Sequence, residues 1–229
     1  TSPLTFMASA NAARYVGASP RLVDIEESTW NLDMAQVPST ADAVMPVHFA
    51  GLPVDLESYD RKSQIVIEDA AHALGAWTPS GPVGNCAHSD MCCFSFHPVK
   101  PITTGEGGMV TTPCDHIARK VKLYRNQGME KRYENEVAGF NTRMTDIHAA
   151  IGRVQLTKLA GWTKQRQDNA KFLSENLKGI VVPPVAPGAV HVYHQYTIRV
   201  IGHDRDAFAA EMVKRGVGNG VYYPIPVHQ

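Results

Sequence analysis

Gln64-Ile65-Val66-Ile67-Glu68-Asp69-Ala70-Ala71-His72-Ala73 is the stretch that decides the fold. An apolar run of this length, closing on acid, reads as a strand buried on both faces, as in a parallel sheet. Open α/β sheets collect their ligands outside the carboxyl ends of the strands. Asp69 stands at such an end, and the small residues after it leave room for a flat ligand to approach. Taken alone, Asp69 reads as well or better as a helix N-cap.

Working outward, short apolar runs alternate with Gly, Pro and polar punctuation, a βα rhythm. Ala12 to Gly17 reads as a helix ending at the glycine, Arg21 to Ile25 as a strand after Pro20, and Ala43 to Phe49 as a second strand with Pro46 its oddity. On the other side, Met91 to Phe96 and Gly108 to Thr112 read as strands. Helical periodicity then takes over. Ile117, Val121 and Tyr124 share a stripe on a helix opened near Asp115. A longer helix starts after Thr145 and ends before Gly179 and Pro183-Pro184. The tail reads as a strand from Tyr196 to Val200, a helix from about Asp206 to Arg215, and a strand into Tyr222-Tyr223-Pro224.

The chain has 229 residues, enough for one large α/β domain or a domain and a half. Lys plus Arg equals Asp plus Glu at 22 each, which gives no electrostatic reason to expect nucleic acid or an anionic membrane as partner. No apolar stretch is long enough to span a bilayer, and no signal peptide is visible. Four irregularly spaced cysteines do not make a disulfide scaffold, so a reducing cytoplasm is the expected compartment.

The second chemical cluster is Phe94-Ser95-Phe96-His97-Pro98-Val99-Lys100-Pro101-Ile102-Thr103-Thr104-Gly105-Glu106-Gly107-Gly108. Two prolines fix φ on either side of Lys100, and the glycines permit a tight return of the backbone. The plain alternative is a rigid turn with an incidental charge. Cys86, His88, Cys92, Cys93 and His97 also crowd a short span, but adjacent Cys92 and Cys93 on a strand point to opposite faces. No zinc site is therefore expected; buried apolar cysteines are the better reading.

Together, Glu68-Asp69-Ala70-Ala71-His72-Ala73 and Ser95-Phe96-His97-Pro98-Val99-Lys100 resemble the signature of the DegT/DnrJ/EryC1/StrS sugar aminotransferase family. The resemblance extends, in the family's order, to Leu4 to Ala12, Val23-Asp24-Ile25, Asn141 to Ile147, and Tyr223 to His228. It implies a fold-type-I pyridoxal-phosphate-dependent transferase: an α/β fold with a mostly parallel central sheet flanked by helices. Residues 1–160 would form the large cofactor-binding domain and 161–229 part of a small α/β domain.

The resemblance also distributes roles. Lys100 falls on the lysine that bonds the cofactor's aldehyde and then carries protons. Asp69 falls on the acid that keeps the ring nitrogen protonated, so that the cofactor works as an electron sink. Ser95 matches the phosphate-binding hydroxyl, and His72 the position near the ring oxygen and ring face. Phe6 matches the aromatic stacked on the ring, with a plain core aromatic as the alternative. Asn141 matches a residue reaching the neighbouring subunit's phosphate, which implies a homodimer with shared sites; a turn residue is the alternative. Arg143 would pair with a carboxylate of the amino donor, against a surface salt bridge, and His228 would lie near the substrate.

The implied reaction moves an amino group from glutamate to a nucleotide-linked keto-deoxy sugar. The run from His97 to Gly108 looks closest to the UDP-4-amino-4,6-dideoxy-N-acetyl-altrosamine transaminase branch. The family's sugar dehydratases carry histidine at the lysine position, which Lys100 argues against. Family members run further at both ends, including an upstream Gly-Thr turn for the phosphate, so the chain is expected to be truncated at both ends. The alternative to an active enzyme is a remnant that does not hold cofactor stably.

Overall fold

The computed structural model describes residues 1–229. Its centre is a four-stranded sheet in the order β1-β2-β5-β6, built from β1 (Ala43–Val44), β2 (Ile65–Asp69), β5 (Met91–Ser95) and β6 (Gly108–Thr111). The pairs β1·β2 and β2·β5 are parallel, and β5·β6 is antiparallel. The architecture is thus α/β with a mostly parallel sheet. Two small hairpins, β3 (Trp77–Thr78) with β4 (Gly81–Pro82) and β7 (Met129–Lys131) with β8 (Glu134–Asn135), sit apart from it.

The helices follow the local chemistry of their ends. α1 (Met7–Tyr15) closes ahead of Gly17, which takes the left-handed φ of 75° that suits glycine. α2 (Asp115–Arg125) carries Asp115 in its first turn and Lys122 and Arg125 in its last, matching the helix dipole at both ends. Thr145 caps α3 (Asp146–Asn176) by accepting the His148 N–H, and Asp204 caps α4 (Arg205–Lys214) by accepting that of Ala207. Residue 160 lies inside α3, which carries the chain as one rod from the sheet towards the tail.

Several strand expectations are corrected. Arg21–Ile25 and Tyr196–Val200 form no strands; each contributes one isolated bridge, Ile25↔Leu32 and Val181↔Arg199. No strand forms at Tyr222-Tyr223-Pro224, where the positive φ of Tyr223, 54°, breaks any extended run. Pro46, which has no N–H to give to a ladder, cuts the 43–49 run to Ala43–Val44 plus a single Val47↔Asp69 bridge. Nor is β2 buried on both faces: Val66 and Glu68 are buried, whereas Ile65 is exposed and Ile67 and Asp69 are half-buried. One face of β2 belongs to a core and the other to a site.

Parallel strands ordinarily need a helical crossover. Residues 45–64, between β1 and β2, make theirs with only a 3₁₀ turn, Phe49–Gly51. Beside it, on the Glu68 face, lies a cavity of about 850 Å³ walled by Leu32, Met34, Val54, Leu56 and Tyr59 among others. Neither Lys100 nor Asp69 lines it. The main core gathers Ala70, Ala73, Ala76, Phe94, Phe96 and Ile102, with Trp162 and Leu159 of α3 packed against it. No helix is long and apolar enough to cross a membrane.

Candidate active site

Asp69 is fixed from the backbone outward. Its N–H donates to Pro46 O at 2.9 Å, and its own carbonyl accepts the His48 N–H at 3.0 Å. The side chain is held twice. Oδ1 accepts the Ala71 N–H at 3.1 Å, and Oδ2 accepts the Ser9 hydroxyl at 2.7 Å. Asp69 therefore closes the strand with its own turn and is also tied to α1, sixty positions earlier.

Lys100 is carried by the connection between β5 and β6. The Lys100 N–H closes a turn on His97 O at 2.9 Å. Phe96 organises the return: its carbonyl accepts the Thr104 N–H at 3.0 Å and the Thr103 hydroxyl at 3.1 Å, and its N–H donates to Gly107 O. Ile102 and Thr104 are almost fully buried, so the loop is nailed down from beneath. At Gly107, φ is 158°, and a Cβ would meet Thr104 Oγ1 at 2.4 Å and Met144 Cε at 2.9 Å, so glycine is needed for the close approach to α3's entry.

Burial pushes the Lys100 ammonium below its ordinary range, against the opposing pull of the Asp69 carboxylate. Burial likewise presses His72 down to about 2, with His194 and Lys100 adding cationic repulsion. His72 is therefore a neutral imidazole. Its Nε2 lies 3.4 Å from Tyr223 Oη, at the long limit of a hydrogen bond, and its Nδ1 is buried with no partner. The Tyr223 phenol is pushed up to about 12, first by burial and then by the Asp69 charge. Lys100 thus feels both Asp69 and His72, and Tyr223 lies close enough to feel Asp69 and to approach His72.

Two residues of this site carry no mark in the strand and loop motifs. His194 sets its ring 4.6 Å from that of His72, tilted by 39°, and is itself pushed down to about 4 by burial, then by Lys100 and Arg166. It arrives because the 191–195 segment docks on the 3₁₀ turn, through Val192 N to Gly51 O at 3.1 Å and Gln195 N to Ala50 O at 3.2 Å. A Cβ on Gly51 would stand 2.7 Å from Val192 Cγ2, so glycine is obligatory at that junction. The paired His191 and His194 could have been noticed for their spacing. Ser9 had no comparable signal, being one small residue in a helix.

Of the other expected residues, Ser95 is half-buried at the end of β5, in the strand that leads into the Lys100 loop. Phe6 is 65% exposed at the N-cap of α1, one turn before Ser9 and on its face of the helix. It is not a core aromatic. Tyr223 brings the C-terminal segment to the site, and Val227 N donates to Pro3 O at 3.3 Å, which leaves exposed His228 one residue from that contact. Asn141 and Arg143 are not brought to Lys100 within this chain. Asn141 bridges Asn126, and Arg143 donates to Asn126 Oδ1 at 2.7 Å, both on an exposed edge before α3.

The donor set suits pyridoxal phosphate: an amine pressed towards neutrality for an aldehyde, a carboxylate for a cationic ring nitrogen, a serine hydroxyl for phosphate, and a buried histidine with a nitrogen still unpartnered. No group of three or more His, Cys, Asp or Glu converges that could hold a metal ion.

Compared with known families, residues 1–229 match the DegT/DnrJ/EryC1/StrS aminotransferase family. The chain is 38% identical to GDP-perosamine synthase of Caulobacter vibrioides, with 98% of this chain and 65% of that protein covered. Among solved structures it is similar to DesV of S. venezuelae in complex with a ketimine intermediate (TM-score 0.92, 32% identity, 100% of this chain and 64% of that one). It is also similar to Helicobacter pylori PseC, an aminotransferase involved in the biosynthesis of pseudoaminic acid (TM-score 0.87, 27% identity, 100% and 65%). The chain spans 63 to 65% of the length of the first curated relatives it matches.

Proposed function

The chain belongs to the DegT/DnrJ/EryC1/StrS aminotransferase family, and from that premise we propose that it is a pyridoxal-phosphate-dependent aminotransferase moving an amino group from glutamate to a nucleotide-linked keto-deoxy sugar. The observation that carries this is Lys100, half-buried on a braced loop, its ammonium weakened by burial and opposed by Asp69. The bound cofactor supplies an electron sink for the substrate's carbanion.

Each residue then has a defined task. Lys100 would hold the cofactor through its aldehyde; displaced by the amino donor, its free amine would be the base that takes a proton from the donor's α-carbon and, in the second half of the exchange, the acid that delivers one to the sugar carbon gaining nitrogen. Its lowered proton affinity serves that second task, since an ammonium cannot accept a proton. Asp69, pinned at both oxygens, holds a positive charge on the ring nitrogen. His72, being neutral, adds no positive charge next to Lys100. Ser95 would donate to the phosphate, and Phe6, exposed, would offer the ring an aromatic partner. We assign Asn141 and Arg143 to the site of the neighbouring subunit in a homodimer, because their exposed edge leaves them free of their own Lys100. His228 is assigned to the sugar side. The pseudaminic-acid branch is one candidate acceptor class, supported by the likeness to PseC.

The test is a titration with pyridoxal phosphate followed by borohydride reduction and peptide mapping. A visible absorbance band and a reduced adduct confined to Lys100 are expected, and both are lost in Lys100→Ala. An adduct scattered over surface lysines, or none, overturns the assignment. Glutamate should discharge the band, and UDP-, GDP- and dTDP-linked keto sugars should restore it selectively; failure of all three to do so overturns the substrate class.

A further inference from the structure

Asp69 is met by a hydrogen-bonded chain that begins at the entry of α1. Thr5 Oγ1 lies 2.9 Å from Ser9 Oγ, and Ser9 Oγ lies 2.7 Å from Asp69 Oδ2. The two hydroxyl-bearing residues are 3% and 4% exposed, so neither can lean on bulk water. The proton directions follow by elimination. An ionised carboxylate only accepts, so Ser9 donates to Asp69; Ser9 then has only lone pairs to offer Thr5, so Thr5 donates to Ser9. The chain runs one way, Thr5 to Ser9 to Asp69.

The geometry has a further consequence. A carboxylate turns easily about its last torsion, and a single donor would leave that rotation open. Here the two donors come from different elements, Ala71 N–H on Oδ1 and Ser9 on Oδ2. They define the plane of the group and leave each oxygen with acceptor capacity for one more partner. Such charge-assisted chains are stronger than isolated pairs of neutral groups.

We propose that Ser9, oriented by Thr5, is a positioning residue for cofactor binding: it sets the plane in which Asp69 presents its charge to the ring nitrogen of pyridoxal phosphate. This rests on the assignment of Asp69 given above and extends it to two residues of α1's entry. The role is distinct from Phe6's, although both lie on one face of the helix. Phe6 would touch the ligand, whereas Ser9 reaches it only through Asp69.

The experiment compares the unaltered chain with Ser9→Ala, Ser9→Thr and Thr5→Val by equilibrium titration with pyridoxal phosphate. It records the apparent Kd and the absorption spectrum of the bound form. Ser9→Ala should weaken binding about tenfold, equivalent to ~1.4 kcal/mol, and shift the band. Ser9→Thr, which keeps the donor, should restore both; Thr5→Val should move both the same way by a smaller factor. Thermal unfolding of the ligand-free variants serves as the control for packing. A stability double-mutant cycle between Ser9→Ala and Asp69→Asn should show coupling without any ligand. Unchanged Kd and spectrum in Ser9→Ala, or Ser9→Thr as defective as Ser9→Ala with normal stability, overturns the proposal. Should the unaltered chain give no band at all, the cofactor assignment falls and takes this role with it. Should it give a normal band that Ser9 does not influence, only this role falls.

Discussion

Glu68 and Asp69 are chain neighbours with opposite employment. β2 sends Glu68 to one face, where it is 6% exposed and enclosed by His48 and Ser89. His48 accepts the Val54 N–H at its Nδ1, so its proton sits on Nε2 and is donated to Glu68 at 2.8 Å. Burial works to raise the Glu68 carboxyl, but the hydrogen bonds from His48 and Ser89 outweigh it and hold the group below the usual range. Glu68 has one donor on each oxygen, and so does Asp69; what differs is that Glu68 is buried with its partners. On the other face, Asp69 is half-buried, and around it stand a weakened lysine and an imidazole with an idle nitrogen. A finished network stabilises a fold; an unfinished one is available to a ligand.

The largest effect that would sharpen this contrast is acid sensitivity. His72 is pushed down to about 2, and His191 and His194 to about 4. All three lie below the ~6.5 of free imidazole. Each binds fewer protons folded than unfolded, so its stabilisation is complete above about pH 6.5 and is lost as pH falls towards the folded values. At its steepest the loss should approach about 4 kcal/mol per pH unit for three such groups. Urea unfolding between pH 7.5 and 4 measures it. His194→Asn should remove about a third of the slope; an unaltered slope would mean the Asp69 side is not where acid acts.

Next in size is Glu68→Ala, which strands a buried imidazole N–H and a buried hydroxyl together. A loss of about 3–5 kcal/mol in unfolding free energy is expected. Its counterpart, Asp69→Asn, should change stability by no more than ~1 kcal/mol while reducing cofactor-dependent transamination about 10²–10³-fold. Equal stability losses for the two acids would erase the distinction between the faces. A smaller loss than that of Glu68→Ala belongs to Ser89→Ala, about 1–3 kcal/mol, with pyridoxal phosphate affinity unmoved.

The same contrast explains what could be read from the letters. The later helices were legible because their ends are spelled out locally: Thr145 and Asp204 cap, and Gly179 follows the end of α3 by three residues, whereas α1, with no capping side chain, starts at Met7 and not at the expected Ala12. The strand ending at Asp69 and the proline-braced Lys100 were legible for similar reasons, since turn chemistry lies within a few residues of its effect. The single-bridge segments at Ile25 and Arg199 look like strands because β-branched runs favour extension, yet a ladder also needs a partner of matching length. The reading of β2 as buried on both faces failed because apolarity at Ile65 and Ile67 does not say what covers them. Ser9 and His194 escaped because their importance lies in residues 60 and 122 positions away, Asp69 and His72 respectively.

The crossover without a helix makes Asp69 dependent on a stretch outside the Lys100 loop. Both backbone groups of Asp69 are spoken for by Pro46 and His48, and His48 in turn is seated by Val54. A saturation-mutagenesis screen for lost catalysis should therefore light up residues 46 to 54 as brightly as the reactive centre. Inhibitor design aimed only at Lys100 and Asp69 would overlook the stretch from which that acid is suspended.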